Sequence, residues 1–440
     1  MRYARAGNWP VVLGYALFTG MMAVGYWYNV TFVQLGLTDL GERRLGLPGA
    51  RVAGLMALLA LLTCGVALAA GLWLQRGGRA TRLRLKLRLA LGVVVLQTGL
   101  TLLAPRVASE AAFIGWIAAC ALALGVGVPV TFSLTTDLIP VGDRGYVAAA
   151  VTALAYFAAA VWTTDWRIEP LARQMLWVMV PGALALAPLA LLPLPFVDEL
   201  ARNHRLARFA HGRFVRGGAA QPRMSRRFVG ALLLMFGIYF VDSLGFLRIV
   251  ATPDLIGATW QAPEALPRLM IGGVHVGTAV LAGVLYTHVG ERPLFAWVLG
   301  LFALAHLMYT FPLRLGSGGT LAEPMLYATA VSLYTVLNFA IWADLSTPQT
   351  ISRNAALGVA LSGWTATFVS TAVAIRWQAS GMAAVAHLRL VDALAVVLFV
   401  GLLLRWVLPG VGEWRAGSGE RGAWRVARGE EFEGVWRDGV

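Results

Sequence analysis

Asp242 stands in the run Ala231-Leu-Leu-Leu-Met-Phe-Gly-Ile-Tyr-Phe-Val-Asp242, where nearly every neighbour is apolar. A carboxylate in such a run is costly inside a membrane and marks a substrate or proton site by default. His275 lies in the next apolar run, within Gly272-Gly-Val-His275-Val-Gly-Thr. The two are about eight and nine residues from the same end of successive runs, roughly 12 Å deep at about 1.5 Å per helical residue. At one depth, a carboxylate and an imidazole could share a hydrogen bond and titrate as the protein changes shape. Each also has a plainer role open to it. Asp242 could bond Ser243 or another hydroxyl, and His275 could be a satisfied packing residue.

A second set of residues suits a ligand. Tyr26 and Asn29 share a helix face at i, i+3, with Gln34 flanking it. Tyr334, Asn338 and Trp342 recur at i, i+4, i+8, and Trp364 adds a further ring. Rings and amides of this kind fit a flat ligand of mixed polarity, although aromatic stripes are more often packing. No catalytic constellation appears, so an enzyme is not expected. The chain has no Walker-type phosphate loop and no zinc-binding His/Cys spacing. We therefore expect no cofactor and no metal. Cys64 and Cys120 both lie in apolar runs, which leaves no disulfide framework.

The elements that position these residues follow from composition. Of 440 residues, 58% are hydrophobic and only 13% charged, against about 25% charged in soluble domains. Twelve runs reach the roughly 20 residues needed to cross a bilayer. They cover 10–36, 50–75, 88–105, 111–139, 145–163, 174–196, 227–250, 266–289, 293–313, 322–345, 354–376 and 388–408. Continuous runs favour helices over a barrel. The expected fold is an all-α integral membrane protein.

The net charge of +14 is unevenly placed. Arg76, Arg79, Arg82, Arg84, Lys86 and Arg88 crowd the turn after the second run. Another eight arginines between 202 and 227 crowd the segment after the sixth. Four runs separate these loops, so they share a face. The positive-inside rule makes that face cytoplasmic, together with both termini. The charge then reads as topology and as contact with anionic lipid, not as nucleic-acid binding. The expected organisation is a six-helix bundle over 1–196, a basic cytoplasmic linker over 197–226, a second bundle over 227–408, and a mostly disordered cytoplasmic tail over 409–440.

Short motifs repeat between the halves. Gly71-Leu-Trp-Leu-Gln75-Arg76-Gly-Gly78-Arg79 returns 212 positions later, from 71 to 283, as Gly283-Val-Leu-Tyr-Thr287-His-Val-Gly290-Glu-Arg292. Asp137-Leu-Ile-Pro140 followed by Arg144-Gly145 is echoed by Asp344, Pro348 and Arg353. Matches in order at nearly constant offset favour a parallel duplication.

Twelve spans, a central basic loop and these motifs resemble the major facilitator superfamily. Gly71, Arg76, Gly78 and Arg79 match its hallmark between spans two and three, whose acid is replaced by Gln75 here and by Thr287 in the second copy. The resemblance implies two six-helix pseudo-repeats with a cytoplasmic gate built from Gly71, Gln75, Arg76, Gly78, Arg79, Asp137, Arg144, Gly283, Gly290, Arg292, Asp344 and Arg353. Asp137 and Asp344 become the natural partners of Arg76, Arg79 or Arg292. Span four lacks an Arg and span five a Gly-Pro pair, which weighs against the proton-coupled drug antiporters of that family. The implied activity is secondary transport of a small-molecule substrate by alternating access, with proton coupling open, carried out by a monomer in the inner membrane. The competing reading is a transporter-like protein that delivers or organises a lipophilic cofactor or partner complex.

Overall fold

The computed structural model describes residues 8–162, 166–210, 212–215, 224–316 and 319–407. The tail expected over 409–440 and part of the linker lie outside these residues. Among them are twelve helices long and apolar enough to cross a membrane. They are α1 (Trp9–Arg44), α2 (Gly49–Thr81), α3 (Leu83–Arg106), α4 (Glu110–Leu138), α5 (Val141–Trp162) and α6 (Ile168–Leu191) in the first half. The second half holds α7 (Arg226–Val250), α8 (Ala265–His288), α9 (Glu291–Leu315), α10 (Ala322–Asp344), α11 (Ile351–Ala379) and α12 (Ala384–Leu404). The chain is an all-α integral membrane protein, in which each spanning segment satisfies its own backbone as a bilayer requires.

Helix ends follow local chemistry. Ser109 Oγ accepts from Ala112 N at 3.2 Å, and Ser225 Oγ from Phe228 N at 3.1 Å, capping α4 and α7. α1 runs further than the hydropathy run suggests, to Arg44 rather than 36. Its last turn is charged and held from outside: Arg43 pairs with Asp39 and Glu169, Arg44 pairs with Glu169, and Asp39 accepts from Ile168 N at 2.9 Å. α3 starts at Leu83 rather than 88. Lys86 therefore sits inside a helix, fully buried, and not in a loop.

The two halves meet along equivalent seams. α2 packs on α11 and α8 packs on α5, pairings that exchange under a shift of six spans. The repeated glycines lie in these seams. A Cβ on Gly71 would stand 2.8 Å from Ser352 O and 2.9 Å from Ala356 Cβ. One on Gly283 would stand 2.7 Å from Ala149 Cβ and 2.8 Å from Gly145 O. Only hydrogen fits where backbones approach this closely. The later glycines turn the chain: φ is 66° at Gly78 and 100° at Gly290. α10 and α11 are the most enclosed spans, with 83% and 78% of their most apolar stretch buried, against 22% for α6 and 28% for α12. The enclosed pair faces the axis between the halves, and the others face outward.

Candidate functional site

Asp242 lies on α7 at a small cavity between the halves, about 60 Å³ in volume, room for a few water molecules. Two phenols of α10 hold its carboxylate. Tyr327 Oη donates to Oδ1 and Tyr334 Oη donates to Oδ2, each at 2.5 Å. Tyr327 and Tyr334 are seven apart and so share a helix face. Among the described residues Asp242 has no ion-pair partner, so its only neutralising contacts are hydroxyl donors. The opposite wall comes from the first half. Tyr26 Oη and Tyr156 Oη are 2.9 Å apart, and Tyr156 Oη is 3.3 Å from Thr335 Oγ1. Gln34 also lines this cavity and donates through Nε2 to Thr371 Oγ1 at 3.2 Å.

The expected pairing of Asp242 with His275 does not form. His275 is fully buried one layer behind the cavity. Its Nε2 accepts from Trp260 Nε1 at 3.0 Å, and its Nδ1 lies 2.8 Å from Ser332 Oγ. An indole N–H only donates, so Nε2 carries no proton and Nδ1 is the donor to Ser332. The ring stacks on Tyr156 with centroids 4.5 Å apart. His275 therefore braces Tyr156 and Trp260, which line the cavity, and makes no hydrogen bond to Asp242 in this conformation.

A second, larger cavity of about 340 Å³ lies toward the arginine-rich end. Asn29, Asn338, Tyr26 and Trp364 line it. Tyr26, Tyr239 and Trp364 border both cavities and form a partition between them. Tyr26 packs edge-on against Phe339 at 5.0 Å and lies 5.9 Å from Trp364. Trp342 does not reach either cavity. Its indole donates to Asn338 Oδ1 at 2.8 Å and packs beside Phe228 and the bare face of Gly358. The aromatic stripe thus splits into Tyr334 and Asn338, which line cavities, and Trp342, which fills the core. Wide π-helical turns occur at Tyr28–Gly36 in α1 and Ala356–Thr365 in α11, beside Asn29, Gln34 and Trp364. Such turns re-aim side chains and are frequent at functional sites.

The arginine-rich end is closed, but not by the partners expected from sequence. Asp137 is taken by Lys86 within the first half, and Asn203 Nδ2 donates to its carbonyl at 2.9 Å. Asp344 crosses the seam to Arg144: Nη1 donates to Oδ1 at 2.8 Å, both side chains buried. Tyr286 Oη donates to the other oxygen at 2.8 Å. The basic residues of the hallmark turn stay local. Arg79 donates to Trp73 O at 3.1 Å and lies over the Trp73 ring, while Gln75 and Arg76 make no side-chain hydrogen bond among the described residues. Among the described residues the Arg353 side chain hydrogen-bonds only to Asn354, and Arg292 sits on the first turn of α9. The two acid-Pro-Arg turns have diverged: one acid is neutralised at home, the other across the interface. Sequence reasoning also missed the linker's part. Arg144 Nη2 donates to Phe209 O at 2.9 Å, Gly212 N donates to Ser346 O at 3.0 Å, and Phe214 N donates to Asp344 O at 2.9 Å.

No family model and no curated protein matches this chain. Solved structures do. The human organic anion transporter MFSD10 (TETRAN) aligns over 89% of this chain and 99% of its own, with a TM-score of 0.63 at 15% identity. The major facilitator superfamily proton:xylose symporter XylE, bound to 6-bromo-6-deoxy-D-glucose, aligns over 90% of this chain and 96% of its own, with a TM-score of 0.60 at 14% identity. The chain has the fold of the major facilitator superfamily.

Proposed function

We propose that the chain is a secondary transporter that moves a small solute by alternating access and couples that movement to a proton at Asp242. The halves taken as moving bodies are 1–196 and 227–408, rocking about the seams at Gly71 and Gly283. The observation that carries the reading is Asp242 itself: a carboxylate at a small cavity at the interface, clasped by Tyr327 and Tyr334 and facing no cation among the described residues. A group so placed takes up or releases a proton when the cavity is exposed to one side or the other. Tyr26, Tyr239 and Trp364 border both cavities. A solute pressing on this partition from the larger cavity moves the wall of the proton site, which gives coupling a physical route. The two fold relatives, an organic anion transporter and a proton:xylose symporter, agree with this reading.

The test is flux in proteoliposomes holding purified full-length chain, with a panel of small solutes and an imposed proton gradient. Accumulation should follow the gradient in the unaltered protein and lose that dependence in Asp242→Asn. Gradient-independent uptake by both proteins would remove the proton from the mechanism. No movement of any solute would remove transport.

A further inference from the structure

The larger cavity opens sideways. The first half of α1 lies against α5 and scarcely touches α3, while α3 packs on α6. The resulting gap is edged by Ala16 and Gly20 of α1 and by Gly182 and Ala185 of α6, all exposed. A Cβ added at Gly20 would meet nothing within 4 Å. Leu13 and Leu184, beside this mouth, expose 49% and 70% of their surface, which suits lipid and not water. Toward the arginine-rich end α1 is packed: at Gly14 a Cβ would meet Leu138 and Leu200 side chains at 3.5 and 3.6 Å.

The lining is aliphatic and aromatic apart from a few neutral amides and hydroxyls, and it includes no Arg, Lys, Asp or Glu. Asn29 of α1 and Gln97 of α3 are each 8% exposed, and the side-chain amide of neither makes a hydrogen bond among the described residues. Asn29 Oδ1 is enclosed without a partner. Buried amides without partners are costly. The Asn29 oxygen is out of a ligand's reach, but Asn29 Nδ2 and the Gln97 amide are not enclosed in this way, so a ligand that supplied an acceptor to Asn29 Nδ2 and a donor to Gln97 Oε1 would satisfy them. A charged head group would find no counter-ion and lose its hydration.

We infer that this cavity takes an uncharged amphiphile from the bilayer, entering between α1 and α6, its polar head on Asn29 and Gln97 and its apolar chain toward the mouth. The volume of about 340 Å³ lies within the range of small-ligand sites. This deepens the transporter reading by naming the class of its solute, and it rests on that reading only for the step across the membrane.

The test uses full-length protein in nanodiscs and a diazirine-bearing hexadecanol as the probe, with the carboxylate and the trimethylammonium of the same chain as comparators. Binding is read as cross-linked peptides, with no gradient applied. The alcohol should label segments around Gly20, Gln97 and Gly182 at least tenfold more than either charged probe. Gly20→Phe, which fills the mouth, should abolish that labelling. Gln97→Leu, which keeps volume but removes the amide, should weaken it about tenfold. Equal labelling by all three head groups, or labelling that survives both variants, overturns the inference. If the alcohol binds but the protein speeds the crossing of neither the alcohol nor any other solute in proteoliposomes, the transporter reading fails and the binding site stands. If water-soluble solutes are transported and the alcohol does not bind, the inference alone fails.

Discussion

Arg144 Nη1 donates to Asp344 Oδ1 at 2.8 Å across the interface of the two halves, with side-chain exposures of 1% and 0%. A buried pair of this kind costs about 3–5 kcal/mol when one partner is removed, because the other is left charged and dry. Arg144 would still have Phe209 O and Ala343 O as acceptors, but no anion. Asp344→Ala is therefore expected to lower the melting temperature in detergent and to loosen the arginine-rich end. Ser346, 1% exposed beside the linker, reports the opening. A Ser346→Cys protein should react slowly with a water-soluble maleimide, and faster once Asp344→Ala is added. Equal rates would mean that the pair does not hold the closed face.

Tyr334→Phe removes one of the two donors to Asp242 while keeping the ring that packs against Tyr239 at 4.8 Å. A hydrogen bond to a charged group contributes about 1.5–3 kcal/mol. Gradient-driven flux should fall by about tenfold or more, with the melting temperature little changed. The double variant with Asp242→Asn should add nothing further, since the carboxylate that used the phenol is gone. Additive losses would place Tyr334 in a separate role.

Gly71→Ala and Gly283→Ala each put a methyl group where atoms of the partner half already stand within 3 Å. Overpacking of this kind costs about 1–3 kcal/mol. Gly65→Ala, also in α2 but with nothing within 4 Å, is the control and should leave stability level or slightly raised. Thermal unfolding of the three variants side by side decides it. A control that suffers as much as the seam variants would mean helix conformation, not the seam, sets the response.

Lys86→Met strands Asp137 inside the first half. The single change should destabilise by several kcal/mol, and adding Asp137→Leu should restore most of that loss, because a buried pair replaced by apolar groups is often neutral. Asn203 donates to the Asp137 backbone carbonyl, which the second change keeps, whereas His204, 3.7 Å from the carboxylate, loses that neighbour. Failure of the double variant to recover would mean that the Lys86 ammonium is needed for something besides Asp137.

The spans were legible because crossing a bilayer takes a fixed length of apolar chain, and the bilayer reads length before it reads identity. The glycine repeats were legible because close approach and positive φ leave few residues to choose from. Side-chain partnership was not. Asp242 is clasped from α10, 85 and 92 positions away, and a helix apolar all round does not announce which face looks inward. His275 drew attention as a titratable group, yet Trp260 and Ser332 commit both its nitrogens. Lys86 looked like one more surface charge until burial paired it with Asp137. Gln97, an amide after the valines and leucines of α3, carries a weaker signal of the kind that marks Asp242, since Thr98 and Thr101 beside it dilute the contrast.

The linker is seated in the closing surface. A Cβ at Gly212 would come within 2.7 Å of Ser346 O, so the chain there is pressed flat against the end of α10. Two bundles joined by a slack tether would open and close indifferently to the tether's fate. Here a protease cut just beyond Val215 would leave both bundles in the bilayer and every cavity residue in place, yet free the strip that Phe214 and Gly212 press onto α10. The cover over the end of α10 thus belongs to the connector, and in the proposed rocking of the halves that strip has to lift before this end can open.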